Sequence, residues 1–111
     1  MSKIKKLKIP EDQLELLIDK VAGCFATNKI TVEGMPVGFM YREEQSEAID
    51  SGWRFFSGTE SQDYVDDKRK SDFYPLNTIA NYDPAIIPYL DMPEGTELER
   101  NEDGTFSPIE S

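Results

Sequence analysis

The stretch DSGWRFFSG, residues 50–58, carries three aromatic side chains between two glycines and decides how the rest of the fold is arranged. Its central WRFF predicts a β-strand, because aromatic side chains favour strands, and Ser57-Gly58 ends it. Successive side chains of a strand point to opposite faces, so Trp53 and Phe55 share one face while Phe56 lies on the other. We expect one face to fill the core; in the alternative, one ring stays exposed as the anchor of an interface.

Residues 10–21, ahead of this strand, predict an amphipathic helix. Pro10 suits a first helical turn, and Gly23 stands where a C-terminal cap belongs. Four apolar residues recur at the spacing i, i+3, i+4 and i+7 and would form one apolar stripe: Leu14, Leu17, Ile18 and Val21. The preceding residues 3–9 alternate imperfectly and predict either a short strand or a frayed tail.

The segments on either side of the aromatic run predict further strands. Residues 30–32 alternate and, with a turn at Gly34-Met35-Pro36, form a hairpin with a second strand over residues 37–41. Residues 60–67 predict a short acidic helix with Thr59 as its cap. Residues 73–79 predict another strand, which Pro75 places at an edge of the sheet or makes irregular.

The last third of the chain predicts a short helix and a hairpin. Asp83-Pro84 is typical of a helix start, and Pro88 limits the length of the helix. Residues 96–100 and 105–107 form a hairpin around the turn at 101–104. Because no long helical crossover joins the strands, the chain predicts one α+β domain over residues 1–111. Its mainly antiparallel sheet would have about five strands, with an N-terminal helix and one or two short helices.

The charge of the chain limits its partners. It has 22 Asp and Glu against 12 Lys and Arg, a net charge of −10, and residues 43–67 hold eight acidic residues against Arg54 alone. Such a surface repels phosphate backbones, so we expect no nucleic-acid binding, and it favours a basic protein partner. No stretch approaches the roughly 18 apolar residues of a membrane span, and no signal-peptide core follows the four N-terminal lysines. We expect a cytoplasmic monomer or weak homodimer without membrane contact.

The composition also restricts the chemistry. The chain has no histidine, which excludes imidazole-based catalysis and histidine-ligated metals. A lone cysteine, Cys24, can form neither an internal disulfide nor a thiolate zinc cluster, and we expect an inert packed thiol. Asp63, Asp66 and Asp67 lack the spacing of a calcium loop, and the glycines match no phosphate-binding fingerprint. We therefore expect no cofactor and no metal.

Several motifs from residue 24 onward resemble the bacterial immunity protein 33 domain, a family first catalogued as a domain of unknown function. The resemblance covers residues 24–109 and is carried by VGFMYRE at 37–43, DSGWRF at 50–55 with Ser57-Gly58, Glu60, Tyr64 and Asn77-Thr78-Ile79. It implies a cytoplasmic, non-enzymatic protein that protects its producer or a neighbour by binding a polymorphic toxin. The family defines no catalytic residue that can be transferred to this chain.

The acidic segment supplies the candidate contact residues for such a partner. A carboxylate surface can occupy a basic cleft that would otherwise hold phosphates, with an aromatic ring as anchor. The candidates are Glu43, Glu44, Glu47, Asp50, Trp53, Glu60, Asp63, Tyr64 and Asp67. Two alternatives stay open. One is a regulatory or housekeeping protein-binding module of the same fold, and the other is a small hydrolase that uses Asp50 or Glu60 as acid or base.

Overall fold

The predicted aromatic strand lies in the interior of a six-stranded sheet. A computed structural model describes residues 6–45 and 47–109 and orders the strands β4-β1-β3-β2-β5-β6. The strands are β1 (Gly23–Thr27), β2 (Phe39–Arg42), β3 (Asp50–Phe56), β4 (Ser71–Pro75), β5 (Glu97–Arg100) and β6 (Phe106–Pro108). β1 and β3 pair in parallel, and every other neighbouring pair is antiparallel. The α+β class, the mainly antiparallel sheet and the terminal hairpin are confirmed.

Three short α-helices and three 3-10 segments complete the described elements. The helices are α1 (Asn28–Thr31), α2 (Gln62–Asp66) and α3 (Leu76–Tyr82), and the 3-10 segments are Glu11–Gln13, Lys68–Lys70 and Pro84–Tyr89. The predicted acidic helix is confirmed as α2, although Ser61 caps it instead of Thr59. The helix start at Asp83-Pro84 is also confirmed, because the Asp83 carboxylate accepts a hydrogen bond from the Ala85 amide.

The prediction of an N-terminal helix is wrong. Only the single 3-10 turn Glu11–Gln13 forms, and the chain then runs without regular structure to β1. In a helix, the backbone amides of this segment would donate to carbonyls of the same segment. Here they donate to side chains of α3 instead: Asn81 accepts from the Glu15 amide at 2.9 Å, and Asn77 accepts from the Leu17 amide at 2.8 Å. Val21, a member of the predicted apolar stripe, is 96 % exposed. Tertiary hydrogen bonds therefore override the local helical pattern.

One further predicted strand is wrong, and another is shorter than expected. Residues 30–32 belong largely to α1, where Ile30 and Thr31 are both buried, so no hairpin joins them to β2. The predicted strand over 73–79 is confirmed as far as Pro75 and lies at an edge of the sheet, as Pro75 indicated, but residues 76–79 belong to α3. A stretch of three alternating residues is too short to distinguish a strand from a helical turn. Of residues 3–9, those up to 5 lie outside the described residues, and 6–9 form no strand.

The core lies on one face of the sheet, which we call the closed face. Met40, Trp53, Phe55 and Leu98 point into it from the strands, and Ile30 of α1 and Ile79 of α3 cover them. The indole of Trp53 is fully buried and donates a hydrogen bond to the Leu90 carbonyl at 3.0 Å. Burial also raises the pKa of the Cys24 thiol above its ordinary value. Within the described residues, no helix is long and apolar enough to cross a membrane.

Candidate functional site

The other face of the sheet, which we call the open face, is aromatic. Alternation along the strands places on this face the side chains that point away from the core: Phe25, Phe39, Tyr41, Arg54, Phe56 and Phe73. Phe25 is 38 % exposed and Phe73 is 41 % exposed. Phe25 meets Phe73 edge to face, with ring centroids 5.2 Å apart. The sheet therefore carries large apolar side chains on both faces but buries only one face completely.

Three of these rings form a cluster that we call the aromatic shelf, which consists of Phe39, Tyr41 and Phe56. Tyr41 stacks on Phe56 with an interplanar angle of 12° and a centroid distance of 5.7 Å. Phe39 contacts both, at 5.7 Å from Tyr41 and 5.6 Å from Phe56. The strand pairing fixes this arrangement, since Phe39 lies opposite Phe56 across β2 and β3. The shelf is thus held in place by backbone hydrogen bonds on both strands.

Arg54 occupies the centre of the open face and is held by two carboxylates. Its guanidinium donates to both oxygens of Asp50, at 2.9 and 2.8 Å, and its Nε donates to Glu43 at 2.9 Å. The same guanidinium lies 4.8 Å from the centroid of the Phe25 ring. The hydrogen bond from Arg54 lowers the pKa of Asp50. Two of the predicted contact residues, Asp50 and Glu43, therefore share one cation within the chain, which leaves a net charge of −1 on the three groups.

Glu60 lies beyond the other end of β3 and stabilises the turn there. Its carboxylate accepts hydrogen bonds from the Thr27 hydroxyl at 2.6 Å, the Ser57 amide at 2.8 Å and the Gly58 amide at 3.0 Å. Burial by itself would raise the pKa of Glu60, but these hydrogen bonds outweigh it and the pKa is lowered. Glu60 therefore joins β1 to the loop between β3 and α2.

A groove separates α2 from the open face. It has a volume of about 190 Å³, and its lining includes Phe25, Tyr41, Tyr64, Val65 and Lys70. Two cations contact the Tyr64 ring, Lys29 at 5.1 Å and Lys70 at 5.8 Å from its centroid. Partial burial raises the pKa of Tyr64. This predicted contact residue thus lies beside the aromatic shelf, although two lysines already contact its ring.

The remaining predicted contact residues are divided between the surface and the core. Asp67 caps the following 3-10 segment, and hydrogen bonds from Arg69 lower its pKa to about 2. Glu44, Glu47 and Asp63 are exposed, and no ion pair with another described residue holds them. Trp53 has no exposed surface, so the structure corrects its assignment as a contact residue and confirms its core role. The predicted acids therefore differ in how far they are already paired within the described residues.

Sequence reasoning placed Phe56 on the face opposite Trp53 but missed the other aromatic residues of the open face and two acids beside them. The pairing of β2 with β5 places Glu97 next to Tyr41 and Glu99 next to Phe39. Both glutamates are exposed, and neither makes an ion pair with another described residue. A signal for this face was available in β2, where Phe39, Met40 and Tyr41 are all apolar. Three consecutive apolar residues in a strand place apolar side chains on both faces of the sheet.

The two carboxylates considered for hydrolysis do not lie together. Asp50 begins β3, and Glu60 binds the amide of Ser57, just past the end of that strand. Six residue steps at 3.3 Å separate the two ends by roughly 20 Å, against about 5–10 Å between the catalytic carboxyl groups of glycosidases. Within the described residues, no group of three histidine, cysteine or carboxylate side chains is placed to hold a metal ion.

These features define a small α+β domain that presents an aromatic sheet face rimmed by carboxylates. Residues 24–110 match the family model of the Immunity protein Imm33 domain. The chain therefore belongs to the Imm33 immunity protein family, which indicates an immunity-type function and confirms the resemblance seen in its motifs. Immunity protein families are generally non-enzymatic. No curated protein and no solved structure matches the chain.

Proposed function

We propose that this protein binds and neutralises a polymorphic bacterial toxin by occluding the toxin's active or substrate-binding surface, and that the open face makes the contact. The observation that carries this proposal is the aromatic surface left uncovered on a sheet whose other face is fully packed. Contiguous exposed apolar surface on a small protein is a mark of an interaction site. In a member of an immunity family, the expected occupant of such a site is a toxin.

The composition of the open face fits the centre of a protein interface. Aromatic residues and arginine are enriched in such centres and contribute most of the binding energy, whereas the surrounding rim is polar. Phe25, Tyr41 and Arg54 supply the first kind of residue here, and Glu97 and Glu99 supply the second. Because Arg54 is held by Asp50 and Glu43 before any partner binds, little side-chain entropy is lost on association.

The acids of residues 43–67 have two roles in this proposal: some attract the toxin and others stabilise the contact surface. Glu44, Glu47 and Asp63 are exposed and add to the field that attracts a basic toxin, which speeds association at low salt. Asp50 and Glu60 instead stabilise the shape of this surface. Asp50 orients Arg54, and Glu60 binds the turn before α2. A toxin that acts on nucleic acids needs a basic cleft for phosphates, and this net acidic domain would cover that cleft.

Cytoplasmic location and a monomeric or weakly dimeric state are part of the same proposal. An immunity protein meets its toxin where the toxin acts, and a free open face requires that no second copy covers it permanently. The alternative of a regulatory module with the same fold uses the same surface but has no toxin partner. A toxin reading frame beside the gene would distinguish the two.

The test is co-expression with the toxin encoded beside the gene. We expect the protein to restore growth and to form a complex measurable by calorimetry. Replacing Tyr41 by Ser on the open face should weaken the complex, whereas the same replacement of Leu16, an 84 % exposed apolar residue in the segment bound to α3, should not. Growth arrest despite normal expression of the folded protein would overturn the proposed function. Equal effects of the two replacements on affinity would overturn the assignment of the open face.

A further inference from the structure

We propose that the aromatic shelf receives an arginine side chain of the toxin, whose guanidinium stacks on the rings and meets the carboxylates of Glu97 and Glu99. This inference rests on the proposed function and adds to it the chemistry of the partner's central contact. It starts from the register of β2 and β5, which places each of the two glutamates directly beside a ring of the shelf.

The chain binds one of its own guanidinium groups in the same way on β3, where Arg54 pairs with Tyr41 in the strand register. The guanidinium of Arg54 lies 4.8 Å from the Phe25 ring and is bound by the carboxylates of Asp50 and Glu43. A planar cation on an aromatic face with two carboxylates at its edge is a favourable arrangement, because ring and carboxylates attract the same charge. The open face thus already binds one guanidinium in this manner.

The shelf presents the same two components, aromatic rings and carboxylates, toward solvent. Its rings are only partly buried, and no ion pair with another described residue satisfies Glu97 or Glu99. Burial raises the pKa of Tyr41, the charges of Glu43 and Glu97 add to this effect, and Arg54 opposes it. The strand register pairs Tyr41 with Glu97. A surface that combines stacked rings with unpaired carboxylates is complementary to a cation with a flat face.

Arginine fits this surface better than lysine. The guanidinium is planar, so it can stack on one ring of the Tyr41–Phe56 pair while its edge donates to a carboxylate. An ammonium group is a compact, strongly hydrated point charge that loses more hydration when it approaches an aromatic ring. The partner segment we infer therefore carries an arginine that projects from a basic surface.

The probe for this proposal is a capped Gly-Arg-Gly peptide, titrated into the isotope-labelled protein at physiological salt and followed by NMR. We expect saturable shifts of the β2 and β5 amides, with affinity about fivefold higher than for the isosteric, uncharged Gly-citrulline-Gly peptide. The double variant E97Q/E99Q should lose most of that preference. The matched double variant E11Q/E15Q makes the same change in net charge at exposed positions elsewhere and should keep it.

Each other outcome overturns the proposal. Equal shifts with both peptides, shifts confined to another surface, no saturable shift, or equal losses in the two double variants would each show that the shelf does not select a guanidinium. A Gly-Lys-Gly peptide that binds as well as the arginine peptide would overturn the choice of side chain. These measurements need no toxin. Protection in co-expression combined with a negative titration would therefore overturn this inference alone, and loss of protection would overturn the proposed function.

Discussion

The two faces of β3 consist of neighbouring residues of one strand but differ in burial. Trp53 and Phe55 on the closed face are completely buried, whereas Arg54 and Phe56 on the open face keep contact with solvent. Hydrophobicity does not explain this difference in burial, since both faces carry aromatic rings. The difference arises because α1, α3 and the segment Pro84–Tyr89 cover the closed face, whereas the described elements that approach the open face are α2 and the segment Lys68–Lys70. The placement of helices therefore decides which aromatic face is core and which is available for binding.

The largest expected effect is on the closed face. Trp53→Ala removes a fully buried indole and its hydrogen bond to Leu90, and we expect a loss of about 3–5 kcal/mol in the free energy of unfolding. Phe25→Ala on the open face should cost about 1 kcal/mol, because that ring is already partly exposed. Denaturant unfolding of both variants checks the comparison. Similar losses at the two positions would show that the open face is also part of the stabilising core.

A second effect concerns a carboxylate that helps to close the core. Asp83 accepts hydrogen bonds from the Val37 amide at 2.9 Å and from the Arg100 guanidinium at 2.5 Å, and it is 7 % exposed. Asp83→Ala should cost about 2–3 kcal/mol, below the range for fully buried pairs because Arg100 is partly exposed. Asp91→Ala breaks an exposed pair with Lys20, which solvent screens, and should lower the unfolding temperature less than Asp83→Ala does. Thermal unfolding that ranks the two variants equally would contradict this assignment.

A third prediction tests Glu60 as a structural residue at the rim of the open face. Glu60→Ala leaves three donors without their acceptor and should cost about 1–2 kcal/mol. Asp63→Ala, three residues along the chain and without an ion pair to another described residue, is the matched control and should change stability by less than about 0.5 kcal/mol. Equal stabilities of the two variants in denaturant would refute the role of Glu60.

The pH dependence of stability gives a separate measure of Glu60. Its ordinary pKa is 4.5, and its folded pKa is lower. A group with a lowered folded pKa stabilises the folded state above its unfolded pKa, and this contribution is lost as the pH falls through the folded value. The protein should therefore lose stability on acidification below about pH 4.5, and Glu60→Ala should lose less over the same range. An unchanged slope in the variant would contradict the lowered pKa.

Local sequence patterns predicted those parts of the fold that local interactions determine. The aromatic strand, the capped start at Asp83 and the last hairpin all follow from a few adjacent residues, and all three are present. Residues 10–21 failed because their backbone binds Asn77 and Asn81, about 60 positions further along the chain. No periodicity within the segment carries information about those two side chains.

The candidate site was predictable in composition but not in geometry. The acidic charge of residues 43–67 is visible in the sequence, but the internal pairing of Asp50 with Arg54 and the burial of Trp53 depend on the assembled sheet. The neighbours of the aromatic shelf are harder still to predict. Glu97 reaches Tyr41 only through the pairing of β2 with β5, two strands that are far apart in sequence.

The fourth prediction concerns the segment that was expected to be helical. Asn77→Ala removes hydrogen bonds to the backbone at Glu15, Leu17 and Ile18, in a region that is mostly exposed. We expect a cost of about 1 kcal/mol and faster hydrogen exchange at the Leu17 and Ile18 amides, with no change in β3. Unchanged exchange at both amides would show that other contacts hold this segment.

The smallest expected effect on stability belongs to the rim of the open face. E97Q/E99Q removes two like charges from exposed positions of β5, so the free energy of unfolding should change by less than about 0.5 kcal/mol. The same change should slow association with the toxin by about threefold to tenfold at low salt, with a smaller effect as salt screens the charges. Denaturant unfolding and stopped-flow association test the two halves together. A large loss of stability would mean that these glutamates support the fold as Trp53 does, and an unchanged association rate would mean that the toxin approaches another surface. A variant that keeps its stability but associates slowly would show that the open face serves binding, whereas the closed face serves packing.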